Sequence, residues 1–151
     1  MTETPELLES LRDNSAYLNA QLKKVPGIKM KGGDQDFLPV KHVCLEDSAH
    51  EFDREEQKLI ILQIAKRVTE LGTGISACKA SVSDLVPSLA PSLRICATSY
   101  MTEAQIKQAC KDLKTAVNET LEKAVKVRTR TESGAVDITI GSPKKNKLFR
   151  R

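Results

Sequence analysis

The sequence predicts an α+β domain in which a small, mainly antiparallel sheet carries its helices on one face. Three observations lead there. Two segments carry a capping box followed by helix-period apolar residues: Asp53 with Glu56, and Thr102 with Gln105. A short stretch, Leu93 to Thr98, alternates apolar with polar residues at the period of a strand. The element order is helix, one or two strands, helix, strand, strand and long helix, and a small sheet with segregated helices is the layer arrangement that suits it.

Taken in order, Thr4-Pro5-Glu6 starts the first helix. A hydroxyl caps it, proline sits where no N–H is needed, and an acid meets the positive end of the dipole. Leu7, Leu11, Leu18, Leu22 and Val25 keep helical spacing until Pro26-Gly27 stops the run, about five turns at 3.6 residues each. Ile28 to Lys31 is a short extended segment, closed by the turn Gly32-Gly33-Asp34. No GxxxxGK[ST] or GxGxxG pattern surrounds those glycines, so they are not a phosphate loop.

Phe37 to Leu45 reads as a strand. Lys41, Val43 and Leu45 share one face, Val40, His42 and Cys44 the other, and Pro39 marks an edge or a strand beginning. After the Asp53 cap, Leu59, Ile60, Ile61, Leu62, Ile64, Ala65 and Val68 predict a helix that is largely covered, with Gly72 in the left-handed position past its end. Ile75 to Ala80 is a strand candidate, and Ser83 to Pro91 a loop. In the next strand, Leu93, Ile95 and Ala97 face the core, and Arg94 is a lone cation on the other side. Ile106, Ala109, Leu113, Val117, Leu121 and Ala124 form the stripe of the last helix.

Composition limits function. The chain has 151 residues, room for one domain with a real core. Aromatics make up only 3% with no Trp, which argues against a base-stacking platform for single-stranded nucleic acid. The net charge of +4 is a property of the end of the chain: seven Lys/Arg and two acids lie from Val127 onward, leaving 17 bases and 18 acids elsewhere. Residues 1–126 therefore read as the domain and 127–151 as a basic, disordered tail, able at most to touch anionic lipid or nucleic acid. A tail-led nucleic-acid role ranks last.

Cys44, Cys78, Cys96 and Cys110 form no CxxC, and His42 and His50 have no ligand geometry, so no metal is expected. Met1 to Arg12 is acidic and lacks the apolar run of a signal peptide, which points to reduced, mostly buried thiols in the cytosol. The longest apolar run, Leu59 to Ala65, is too short to span a membrane. No Ser/His/Asp set is visible either, and the chain is a poor candidate for an independent enzyme.

Arg94 is a fork of five donors fixed mid-strand beside a helix start, a form suited to a carboxylate or phosphate, or to a plain ion pair. Leu93-Arg94 and, at the right separation, Met101-Thr102 through Ile106 resemble the strand LR and helix start HTxxxI of the α-oxoamine synthase branch of fold-type I pyridoxal-phosphate enzymes. Met1-Thr2-Glu3-Thr4-Pro5, Arg54-Glu55-Glu56-Gln57 and the loop before Arg94 are similar to the C-terminal small domain of the lysine-less, first long-chain-base subunit of serine palmitoyltransferase, over about Met1 to Lys126.

The resemblance implies a carboxylate-binding role for Arg94 and no catalytic residue in this chain. Met101 stands where the catalytic relatives have histidine. It further implies pyridoxal phosphate held by a partner subunit that bears the cofactor lysine, a heterodimer at the cytoplasmic face of the endoplasmic reticulum, and condensation of serine with an acyl-CoA. Two alternatives stand beside it: the small domain of a catalytic α-oxoamine synthase, and a free-standing α+β protein-binding module.

Overall fold

A computed structural model describes residues 5–32, 36–46, 52–78 and 90–132. Its elements are α1 (Pro5–Leu22), β1 (Ile28–Lys31), β2 (Val40–Leu45), α2 (Arg54–Glu70), β3 (Ser76–Ala77), β4 (Leu93–Cys96) and α3 (Glu103–Glu132). The four strands form one sheet in the order β1-β2-β4-β3, every neighbouring pair antiparallel. The expected α+β architecture is present. Leu45, Val43, Leu93 and Ile95 turn one sheet face toward Leu18 and Leu22 of α1, Ile60, Ile61, Ile64 and Val68 of α2, and Ile106, Leu113 and Val117 of α3.

Local signals act where the sequence places them. Asp53 accepts from the Glu56 N–H at 2.9 Å while the Glu56 carboxylate accepts from the Asp53 N–H at 2.8 Å. Thr102 and Gln105 make the same reciprocal pair, at 3.3 and 2.9 Å. Past the end of α2, the Gly72 N–H donates to Thr69 O and the Thr73 N–H to Val68 O, with Gly72 at φ +102°. This closes the helix by the glycine motif that satisfies its last carbonyls. Gly27, at φ +82°, ends the α1–β1 turn against α3: a Cβ there would lie 2.9 Å from Leu121 Cδ1 and 3.3 Å from Val117 Cγ1.

Several expectations need correction. The second strand starts at Val40, just past Pro39, and it is a central strand, so the proline marks a beginning and no edge. Leu59 and Leu62 are 51% and 56% exposed: α2 packs through Ile60, Ile61, Ile64, Ala65 and Val68, a narrower stripe than the run of apolar residues suggested. Leu7, the first residue of the α1 stripe, is likewise exposed, and Leu11 is only half-buried. Cys44 and Cys110 are buried, whereas Cys78 and Cys96 are exposed free thiols, Cys96 because it alternates with core-facing Ile95.

The last helix runs six residues past Lys126. There the guanidinium of Arg128 lies 5.9 Å from the Phe52 ring centroid, a tertiary contact that a fading apolar period could not announce. Thr4, Gly33, Asp34, His50, Lys79, Ala80, most of the 83–91 loop and the tail beyond Glu132 lie outside the described residues.

Buried polar side chains of α1 tie the sheet's rim to the helices. Ser15 donates to Asp36 O and Leu38 O, and the Asn19 amide to the Asp36 carboxylate. The Lys41 ammonium, 5% exposed on the core side of β2, donates to Asp36 O at 3.3 Å. The Asn14 amide donates to Thr98 O at 2.9 Å and Met101 O at 2.7 Å, holding the turn that joins β4 to α3. Without such partners, burying these groups would cost on the order of 1–3 kcal/mol each.

Candidate functional site

The helices cover one side of the sheet and leave the other side open. Pairing register decides what that open face displays. Lys31 opposes His42, His42 opposes Arg94, and Arg94 opposes Ser76, so one transverse row of the sheet reads Lys31, His42, Arg94, Ser76. Directly opposed residues of antiparallel strands point the same way. Leu93 and Ile95 are buried while Arg94 and Cys96 are exposed, which puts this row on the open side.

The row is basic and lacks an internal counterion. Arg94 makes no hydrogen bond or ion pair among the described residues, and Lys31 Nζ meets only the Ala90 carbonyl, at 3.5 Å. Ion pairs elsewhere in the described residues include Arg67 with Glu70 and Glu119, Lys58 with Glu55, and Lys126 with Glu122. Lys31 and Arg94 face each other across His42 on one sheet face, and an anion laid across the row relieves their repulsion. Chemically, the row offers a bidentate fork flanked by an ammonium and an imidazole, a set that fits a carboxylate.

The next row places thiols and a hydroxyl beside it. Cys78 N–H donates to Ser92 O at 2.9 Å, extending the β3–β4 ladder. The His42 ring reaches across, with Nδ1 3.5 Å from Cys78 Sγ and 3.4 Å from Ser92 Oγ. Strand alternation singles out Arg94 but not this company, because nothing local in the sequence links positions 42, 78, 92 and 94.

Met101 belongs to the opposite side. It is half-buried against the core and lines a cavity of about 50 Å³ with Leu18, Ile95, Ile106, Cys110 and Leu113. Burial pushes the Cys110 thiol up to about 11.

Among the described residues no group of three or more His, Cys, Asp or Glu side chains is placed to hold a metal ion, and no helix is long and apolar enough to cross a membrane. Nor does the row make a pyridoxal-phosphate cradle: Lys31, His42, Arg94 and Ser76 include no carboxylate to pair with a pyridine nitrogen, and Arg94 is exposed.

No protein-family model and no curated protein matches the chain. Solved structures do. A transaminase obtained by ancestral reconstruction superposes with a TM-score of 0.57 at 16% identity, over 76% of this chain and 23% of that one. The aminotransferase TlmJ from Streptoalloteichus hindustanus does so with 0.53 at 12% identity, over 78% of this chain and 33% of that one. The chain thus spans a quarter to a third of the length of the enzymes it matches. What it shares with them is a fold: a small antiparallel sheet with helices on one face, the architecture of an aminotransferase-like C-terminal domain.

Proposed function

We propose that this chain is the small domain of a non-catalytic serine palmitoyltransferase-like subunit, which supports a partner that condenses serine with an acyl-CoA in long-chain-base synthesis. The observation that carries the reading is the basic row on the uncovered sheet face, with Arg94 exposed and without an acid of its own among the described residues. In this reading Arg94 holds a substrate or product carboxylate once other polypeptide closes over the face. A charge-assisted pair of that kind is worth about 1.5–3 kcal/mol where water is partly excluded.

The partner supplies the pyridoxal phosphate and its lysine, and the assembly works at the cytoplasmic face of the endoplasmic reticulum. Met101, turned into an apolar cavity where catalytic relatives carry histidine, supports the non-catalytic assignment over the catalytic one.

Affinity capture of the chain from its source cell tests the proposal. A subunit bearing a cofactor-linked lysine is expected in the eluate, and Arg94→Gln in the reconstituted complex is expected to lower condensation activity at least tenfold. Absence of such a subunit, or a lysine-dependent cofactor absorption band from this chain alone, refutes it.

A further inference from the structure

The Cys78–His42 pair is a second constellation on the open face, beside the basic row of Lys31 and Arg94. Cys78 is exposed, and its Sγ lies 3.5 Å from His42 Nδ1. With the ring proton on Nε2, Nδ1 is an acceptor within reach of the Cys78 thiol as well as of the Ser92 hydroxyl at 3.4 Å, and its approach to the thiol is the nucleophile-and-base arrangement that activates sulfur. The ring's place is set by the sheet, since His42 stands in register between Lys31 and Arg94. Cys96 provides an internal comparison: it too is an exposed thiol of this face, two residues from Arg94, but no histidine hydrogen-bonds to it among the described residues.

We infer that Cys78 is a thiol-exchange site that takes low-molecular-weight disulfides carrying carboxylates. His42 Nδ1 accepts the Sγ proton, and the thiolate attacks one sulfur of the disulfide. The reagent's S–S bond breaks, and its other half leaves as a thiolate that is reprotonated from the imidazolium. Cys78 ends as a mixed disulfide, oxidised by the reagent, one half of which is reduced to thiol. Arg94 and Lys31 attract the carboxylates of the incoming molecule.

The test measures alkylation and exchange rates at each cysteine of the full chain by mass spectrometry at neutral pH and low salt. The probes are iodoacetamide, oxidised glutathione and the neutral 2-hydroxyethyl disulfide. Cys78 is expected to react about tenfold or more faster than Cys96 with all three, and His42→Gln to bring it to the rate of Cys96. Arg94→Gln is expected to lower the preference for oxidised glutathione over the neutral disulfide about threefold.

Buried Cys44 and Cys110 stay silent while the fold is intact. If His42→Gln makes them reactive, the comparison of Cys78 with Cys96 in the unmodified chain decides instead. Equal rates at Cys78 and Cys96 overturn the inference, and so does an anion preference that Arg94→Gln leaves untouched.

Discussion

Replacing Gly27 with alanine probes how closely the first turn of the chain is pinned to α3. Gly27 and Gly72 both sit in the left-handed region, at φ +82° and +102°, but only Gly27 is packed: nothing lies within 4 Å of a Cβ at Gly72. Gly72→Ala therefore measures the backbone term alone. A left-handed alanine costs about 1–2 kcal/mol, offset by the 0.4–1 kcal/mol or so gained from a less flexible unfolded chain, for a net of about 0.5–1 kcal/mol.

Gly27→Ala adds a steric term. Leu121 Cδ1, 2.9 Å away, is the free end of a half-buried side chain and can swing aside. Val117 Cγ1, 3.3 Å away, cannot, because Val117 is β-branched and fully buried. Overpacking costs about 1–3 kcal/mol, and with one neighbour able to move the lower half of that range applies. The total is then about 2 kcal/mol, a large fraction of the 5–15 kcal/mol or so that holds a domain together.

Urea unfolding reads the difference. With a slope of about 2 kcal/mol/M, the midpoint falls by about 1 M for Gly27→Ala and by less than half that for Gly72→Ala. Equal shifts for the two variants would refute the argument that α3 and the α1–β1 turn are in hard contact.

Two further outcomes follow from ion pairing and capping. The Arg67 guanidinium, hydrogen-bonded at 2.8 Å, holds the Glu119 carboxyl below its ordinary value. Because that group's folded value is depressed, its contribution is present above about pH 4.3 and lost as acid protonates the folded carboxylate. Glu119→Gln is thus expected to flatten the fall of the urea midpoint below about pH 5, and an unchanged acid slope would count against the pair. Asp53→Ala removes one arm of the capping box on α2 and should cost about 1 kcal/mol. Asp53→Asn should retain most of that in thermal melts, and equal losses would remove capping as the cause.

Much of the candidate site was legible as separate pieces. Arg94 stood out because two-residue alternation around it put a cation opposite a core-facing pair, and that alternation is what the strand displays. His42 and Cys78 did not stand out. Their significance depends on β2 and β3 flanking β4 at one register, a pairing across 36 residues of chain. Buried Ser15 and Asn19 were hidden for a related reason: their partner, the backbone and side chain of Asp36, lies in a loop whose approach no helical pattern encodes.

The caps of α2 and α3, the glycine end of α2, the strand faces and the α+β class were determined by the sequence alone, because each rests on interactions within a few residues: a side chain closing on an N–H three positions away, or apolar groups repeating at the period of the backbone. Which strands are neighbours, which leucines of α1 and α2 stay uncovered, and which thiols meet an imidazole were decided by tertiary structure. Those outcomes depend on distant segments competing to bury the same apolar surface, and the winning arrangement of the sheet leaves its basic face open.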